Sequence, residues 1–245
     1  MAGDTYRGEI TPMRNFLTPA IAAAVLIGTT ALPAGAAGAT TPGPSHFTTQ
    51  IDNPFLPFVP GTRMVYRSTD AGETGREVVR VTHRTRLVDG VRVRVVRDRA
   101  YVGGELVEDT RDWFAQDRRG NVWYFGENTK TLRNGKVTST KGSWAAGRNG
   151  ASAGIVMEAH PKVGDTYSQE DAPGVAEDRG KVLSLDAAAT VPYGSFTGLL
   201  KTKDFSPLEP AVVEHKFFLR GVGSILEKEV RGGNERLALV RVVRP

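Results

Sequence analysis

The sequence predicts an all-β fold, and three observations carry the prediction. From residue 63 onward, short runs of Val, Tyr, Phe, Leu and Thr alternate with Gly, Asp, Asn and Pro turns. No long stretch places its apolar residues at helical spacing. The second half also repeats the order of the first at a displacement of about 103 to 106 residues. Pro60-Gly61-Thr62, Tyr66, Gly90, Arg97-Asp98, Val107 and Trp113-Phe114 find counterparts in Val163-Gly164-Asp165, Tyr167, Gly194, Lys203-Asp204, Val212 and Phe217-Phe218. Two antiparallel β-meanders from an internal repeat, about 58–142 and 160–245, are therefore expected to pack as a sandwich or curve into an open barrel. A ligand site is expected between them or in the hollow of one.

Residues 1–39 read as an export signal, with synthesis starting at Met13 so that Arg14 supplies the positive end. The apolar run 16–32 is short and broken by Pro19, Gly28, Thr29 and Thr30, which argues against a membrane span. Ala34-Gly35-Ala36 and Ala37-Gly38-Ala39 follow with the small-x-small pattern of a cleavage site. Residues 40–57 are expected to be a linker and entry segment leading into a single β domain, 58–245. No transmembrane segment is expected after cleavage, and the mature protein is expected to be secreted or held in the cell envelope. The chain has no cysteine, which excludes a lipidated N-terminus, disulfides and thiolate chemistry.

Within the domain, Asp89-Gly90 is a hairpin turn between strands 76–88 and 91–102. Gly103-Gly104 leads into 105–116, Asp117 to Gly120 closes a third hairpin onto 121–130, and Asn134-Gly135 turns the chain again. Residues 143–154, rich in Gly, Ala and Ser around Trp144, read as a long connection between the copies. Strands of the second meander are expected near 166–170, 177–185, 195–205, 212–220, 224–231 and 236–243. Pro192, Pro207 and Pro210 fall at its turns, where a missing donor costs nothing.

The stretches Ile51-Asp52-Asn53-Pro54 through Pro60-Gly61-Thr62, Asp112-Trp113-Phe114 through Glu127, and Glu214-His215-Lys216 through Gly221-Val222-Gly223 resemble those of exported bacterial, specifically actinobacterial, proteins of unknown function. The outer elements of the pattern are also similar in architecture to envelope proteins whose curved sheets carry apolar ligands. The resemblance implies export and an antiparallel β fold, and brings no catalytic residues with it.

Strand alternation sorts the candidate site residues between faces. Val213, His215, Phe217 and Leu219 share one face of their strand, placing His215 on its more apolar side. There it is either a general base or ligand contact, or a histidine satisfied by a backbone carbonyl. Aromatic residues concentrate between 106 and 127, where Trp113, Trp123 and Phe125 stand near Asp109, Asp112 and Glu127. That mixture suits a pocket that stacks a flat or apolar ligand, and equally an ordinary sheet core. Arg76, Arg80, Arg84, Arg86, Arg92, Arg94, Arg97 and Arg99 would form ladders on a solvent face able to attract an anionic envelope polymer.

Other chemistry finds little support. Gly150-Ala151-Ser152-Ala153-Gly154 has the spelling of a nucleophile elbow without the flanking strand and helix. His46, His83, His160 and His215 are scattered singly, so no metal site is expected, and no motif implies a cofactor or nucleic-acid partner. The sequence thus points to a non-enzymatic binding protein for an apolar or aromatic small molecule or lipid, held by Trp113, Trp123, Phe125, Phe217 and His215. Two alternatives stand beside it: an enzyme pairing His215 with Asp109, Asp112 or Glu127 for proton transfer or hydrolysis, and an envelope-associated module using the arginine face.

Overall fold

Turn chemistry sets the hairpins. At Asp89-Gly90 both residues adopt positive φ, 48° and 74°, the backbone of a tight turn whose twist matches the flanking strands. The structure, a computed structural model, describes residues 40–245; the expected export signal, 1–39, lies outside the described residues. A short 3-10 turn, Pro44–His46, precedes the strands. These are β1 (Phe47–Thr48), β2 (Arg63–Asp70), β3 (Glu73–Val88), β4 (Val91–Val102), β5 (Glu105–Asp117), β6 (Val122–Asn128), β7 (Thr131–Arg133), β8 (Lys136–Ser139) and β9 (Trp144–Ala145). They continue with β10 (Ser152–Met157), β11 (Thr166–Ser168), β12 (Glu170–Asp171), β13 (Arg179–Val191), β14 (Gly194–Phe205), β15 (Val213–Leu219), β16 (Gly223–Arg231) and β17 (Arg236–Val243).

All pairings are antiparallel, and they join into one sheet. The last strand closes on the first long one, with Leu239 opposite Tyr66 and Val243 opposite Arg63. At the other side β10 pairs with both β6 and β12, while β11 pairs with β13, so the sheet is nearly closed into a barrel. The all-β, antiparallel expectation holds, and of its two forms the barrel is the one adopted. The Gly/Ala/Ser-rich segment 143–154 carries β9 and the start of β10, which dock on β6. Gly126 makes that docking possible: at φ 117°, a Cβ there would collide with the Trp144 carbonyl oxygen.

Alternation divides the strands into an inner and an outer face. At one end the inner face is apolar: Met64, Val79, Val81, Val96, Phe114, Leu200, Phe218 and Ile225 are buried. Residues 51–58 fill this end, with the Phe58 ring 5.0 Å from that of Phe114. Asn53 anchors the plug. Its Nδ2 donates to the Gly120 and Glu158 carbonyls at 2.9 and 3.0 Å, and Gln116 Oε1 accepts its backbone N–H at 2.9 Å. The Gly221 N–H, on the β15–β16 turn, donates to the Pro54 carbonyl at 2.7 Å.

Further along the barrel the inner face turns polar. Glu77, Asp98, Glu108, Asp112, Glu127, Glu170, Asp178, Asp204, Glu214 and Glu227 are all buried. Lys216 stands among them, 3.2 Å from Asp204, 3.5 Å from Glu227 and 4.0 Å from Glu214. Burial alone would lower the Lys216 pKa, but Glu227, Asp204 and Glu214 hold it well above the ordinary lysine value. Burial pushes Glu108 up to about 7 against the opposing Thr110 and Thr129 hydroxyls, which lie 2.9 and 3.0 Å from its Oε1. Burial likewise raises Asp178 to about 8, against Ser206 and Lys216. Carboxyls outnumber cations in this belt, which favours the protonated form of its members.

Candidate functional site

The aromatic residues expected to hold a ligand lie in three separate places. Trp113 is buried on the outer face of β5 beneath Arg86, whose guanidinium carbon is 4.1 Å from the ring centroid. Trp123 donates from Nε1 to Asp117 Oδ2 at 2.9 Å, and Phe47 of β1 covers both it and Phe125, at 5.9 and 5.2 Å between ring centroids. Phe217 lies across the barrel on β15, with the Lys201 and Lys228 ammonium groups 5.5 and 5.9 Å from its centroid.

His215, half-buried beside Phe217, is paired with Lys203 on β14 and Lys228 on β16. Burial and then Lys201 and Lys228 lower its pKa, with Asp204 opposing. The carboxylates suggested as its partners are held elsewhere. Asp109 faces outward against Arg97, while Asp112 and Glu127 point into the barrel and accept from the Tyr124 hydroxyl at 2.9 and 3.1 Å. Burial pushes both of these carboxyls well up. Ser152 of the elbow-like pentapeptide is exposed within β10 opposite Asp171, with no helix after it. Among the described residues no group of His, Asp and Glu is arranged to hold a metal ion.

A concavity of about 640 Å³ does bring Trp113 and Glu127 together, with Trp144, Arg86, Arg111 and Arg148. The Trp113 ring there is already stacked by Arg86. A second hollow, about 560 Å³, lies at the plug end beside Asn53, Phe55 and Arg220. Arg220 covers the Phe55 ring at 4.6 Å.

The most distinctive concavity lies on the outer face of β17, β2, β3, β4 and β5. It encloses about 630 Å³ and is lined by Arg63, Arg76, Arg80, Arg84, Arg97, Arg99, Arg111 and Arg241, with Val65, Val78, Thr82, His83, Val95 and Tyr101. Cross-strand register builds it. Arg63 is opposite Arg80, Arg80 opposite Arg97, and Arg97 opposite Arg111, so four arginines stand in one line across four neighbouring strands. Like charges directly opposite one another destabilise a sheet. Among the described residues, the ion pairs made by this set all go to Asp109: from Arg97 at 2.6 Å, Arg99 at 3.5 Å and Arg111 at 3.9 Å.

Arg97 grips Asp109 through both Nε and Nη2, at 2.6 and 2.7 Å. Burial alone would raise the Asp109 carboxyl, but Arg97, then Arg111 and Arg99, hold it below the usual range. Arg76 is steadied differently, stacked 4.6 Å over Tyr101. Much of the basin's positive charge is thus left without an acidic partner within the described protein.

Of the arginines singled out in the sequence, Arg76, Arg80, Arg84, Arg97 and Arg99 belong to this basin. Arg86 is spent on Trp113, and Arg94 donates to the Thr49 carbonyl from Nε and Nη2 at 3.3 and 3.1 Å. Arg63 and Arg111 complete the basin from the flanking strands of the same meander, and Arg241 from β17, which becomes a neighbour of β2 only in the folded sheet. No regular spacing along the chain marks them.

No family model matches the chain, and no curated protein matches it. Solved structures do. One is a Bacteroides fragilis protein described as exported with a YmcC-like fold, at 13% identity and TM-score 0.46, covering 78% of this chain and 99% of that one. Another is described as a lipoprotein of Parabacteroides distasonis, at 11% identity and TM-score 0.42, covering 77% and 98%. A third, from Brucella abortus, is a β-barrel-like protein of a domain of unknown function, at 12% identity and TM-score 0.41, covering 75% and 97%.

Proposed function

We propose that this protein is an exported binding protein that holds an anionic ligand in the arginine basin outside the barrel. The observation that carries the reading is the line Arg63–Arg80–Arg97–Arg111, set by register with Asp109 as its acidic counterweight. Such a line costs the free protein electrostatic energy that a bound anion offsets. Arginine suits the task because its planar fork bonds carboxylate, phosphate or sulfonate oxygens in pairs. Export rests on the N-terminal sequence, where an apolar run precedes two small-x-small sites.

Titration calorimetry with sodium tripolyphosphate tests the reading. Wild-type protein should bind, more weakly as salt is raised, and the double variant Arg63→Gln, Arg80→Gln should lose at least about ten-fold in affinity. Unchanged binding in that variant would place the anion elsewhere.

A further inference from the structure

We infer that the ligand of the basin is a compact organic polyanion with an apolar body, its anionic groups spread around a hydrophobic centre. The inference rests on the anion-binding reading above and concerns the shape of what is bound. Val65 and Val78 are cross-strand partners on the outer face, both half-buried, and both line the basin. Arginine stands on every side of this pair. Two residues away along the strands in one direction are Arg63 and Arg80, themselves partners. In the other direction, two residues from Val78, is Arg76. Arg241 lies directly opposite Val65 on β17, and Arg99 flanks the pair from β4.

The floor is apolar and the frame is cationic. At the ordinary spacing of strands, the frame measures about 14 Å from β17 to β4 and about 13 Å along the strands. The enclosed 630 Å³ falls within the range of small-molecule sites. A linear polyanion would gain from the row of charges but would leave Val65 and Val78 uncovered. A rigid body with a flat apolar face covers the valines and reaches guanidinium groups at several edges together. Guanidinium is weakly hydrated and packs against such faces. Part of the frame is set in advance, since Asp109 pairs with Arg99 at 3.5 Å and Tyr101 supports Arg76.

The test compares two anions on the full-length protein at one ionic strength: pyrenetetrasulfonate, flat and apolar with four charges, and tripolyphosphate, charged without an apolar body. Pyrenetetrasulfonate should bind at least about ten-fold more tightly. Val78→Thr, and independently Val65→Thr, should erase most of that advantage and leave tripolyphosphate affinity unchanged. Equal affinities, or an advantage that survives both threonine variants, would overturn the apolar body while leaving anion binding standing. If Arg63→Gln with Arg80→Gln weakens neither ligand, the anion-binding reading itself fails. Tighter binding to phosphatidylglycerol vesicles than to pyrenetetrasulfonate would overturn the compact ligand in favour of a membrane surface.

Discussion

Arg80 stands between Arg63 and Arg97, so it bears like-charge repulsion from both sides. Replacing it with glutamine removes that repulsion and leaves a shorter, neutral side chain that can still form hydrogen bonds. The expected result is a rise in the melting temperature of the ligand-free protein, about 1–4 °C, together with weaker anion binding. A fall in melting temperature would show that Arg80 is a net stabiliser. Lys216 behaves oppositely. It is a cation among buried acids, and Lys216→Met leaves Asp204 and Glu227 without their ion pairs. Chemical denaturation should show a loss of about 3–5 kcal/mol, larger at pH 8 than at pH 5, because protonation relieves the abandoned carboxylates.

At the scale of elements, the plug and the hairpins bear on stability and on the site respectively. Phe58 is 1% exposed and packs against Phe114 inside the barrel, so Phe58→Ala opens a cavity that the surrounding strands cannot close. The expected cost is about 3–5 kcal/mol, read as a lower urea midpoint. Most long strands were legible in the sequence because hydrophobic alternation and turn residues agree there; β4 and β17 match their expected bounds. β9 and β10 were not, since Gly, Ala and Ser give no strand signal and the segment extends by pairing with β6. The line of arginines was hidden for a sharper reason. In unbroken register from the Gly103-Gly104 turn, Arg97 would face Thr110; the shift between Ala100 and Tyr101 sets it opposite Arg111. A second shift, between Val81 and Thr85, brings Arg80 opposite Arg97. Irregularities of one or two residues decide which side chains share a face, and nothing in the local sequence announces them.

For the whole molecule, the barrel keeps two unlike electrostatic regions apart: an acidic belt inside and an arginine basin outside. The belt makes stability depend on pH with a defined sign. Burial pushes Glu108 up to about 7 and Asp178 up to about 8, above their ordinary values of 4.5 and 3.8. Groups with raised folded pKa contribute stability that is complete below the unfolded pKa and is lost as pH rises through the folded one. Stability should therefore fall between about pH 5 and pH 9, by on the order of several kcal/mol, and the melting temperature should fall with it. Asp109, held below its ordinary range, acts oppositely and only at lower pH. A flat profile across that window would mean that the belt is ionised or hydrated in solution.

The same separation explains how a chain with a formal net charge of +5 can offer a strongly cationic surface while burying acids within. Anomalous diffraction from crystals soaked in tungstate would read the occupancy of the arginine basin itself. An anion peak is expected on the outer face of β2 and β3, within about 4 Å of the guanidinium groups of both Arg63 and Arg80. Anion peaks confined to other surfaces, with the basin empty, would contradict the proposed anion site.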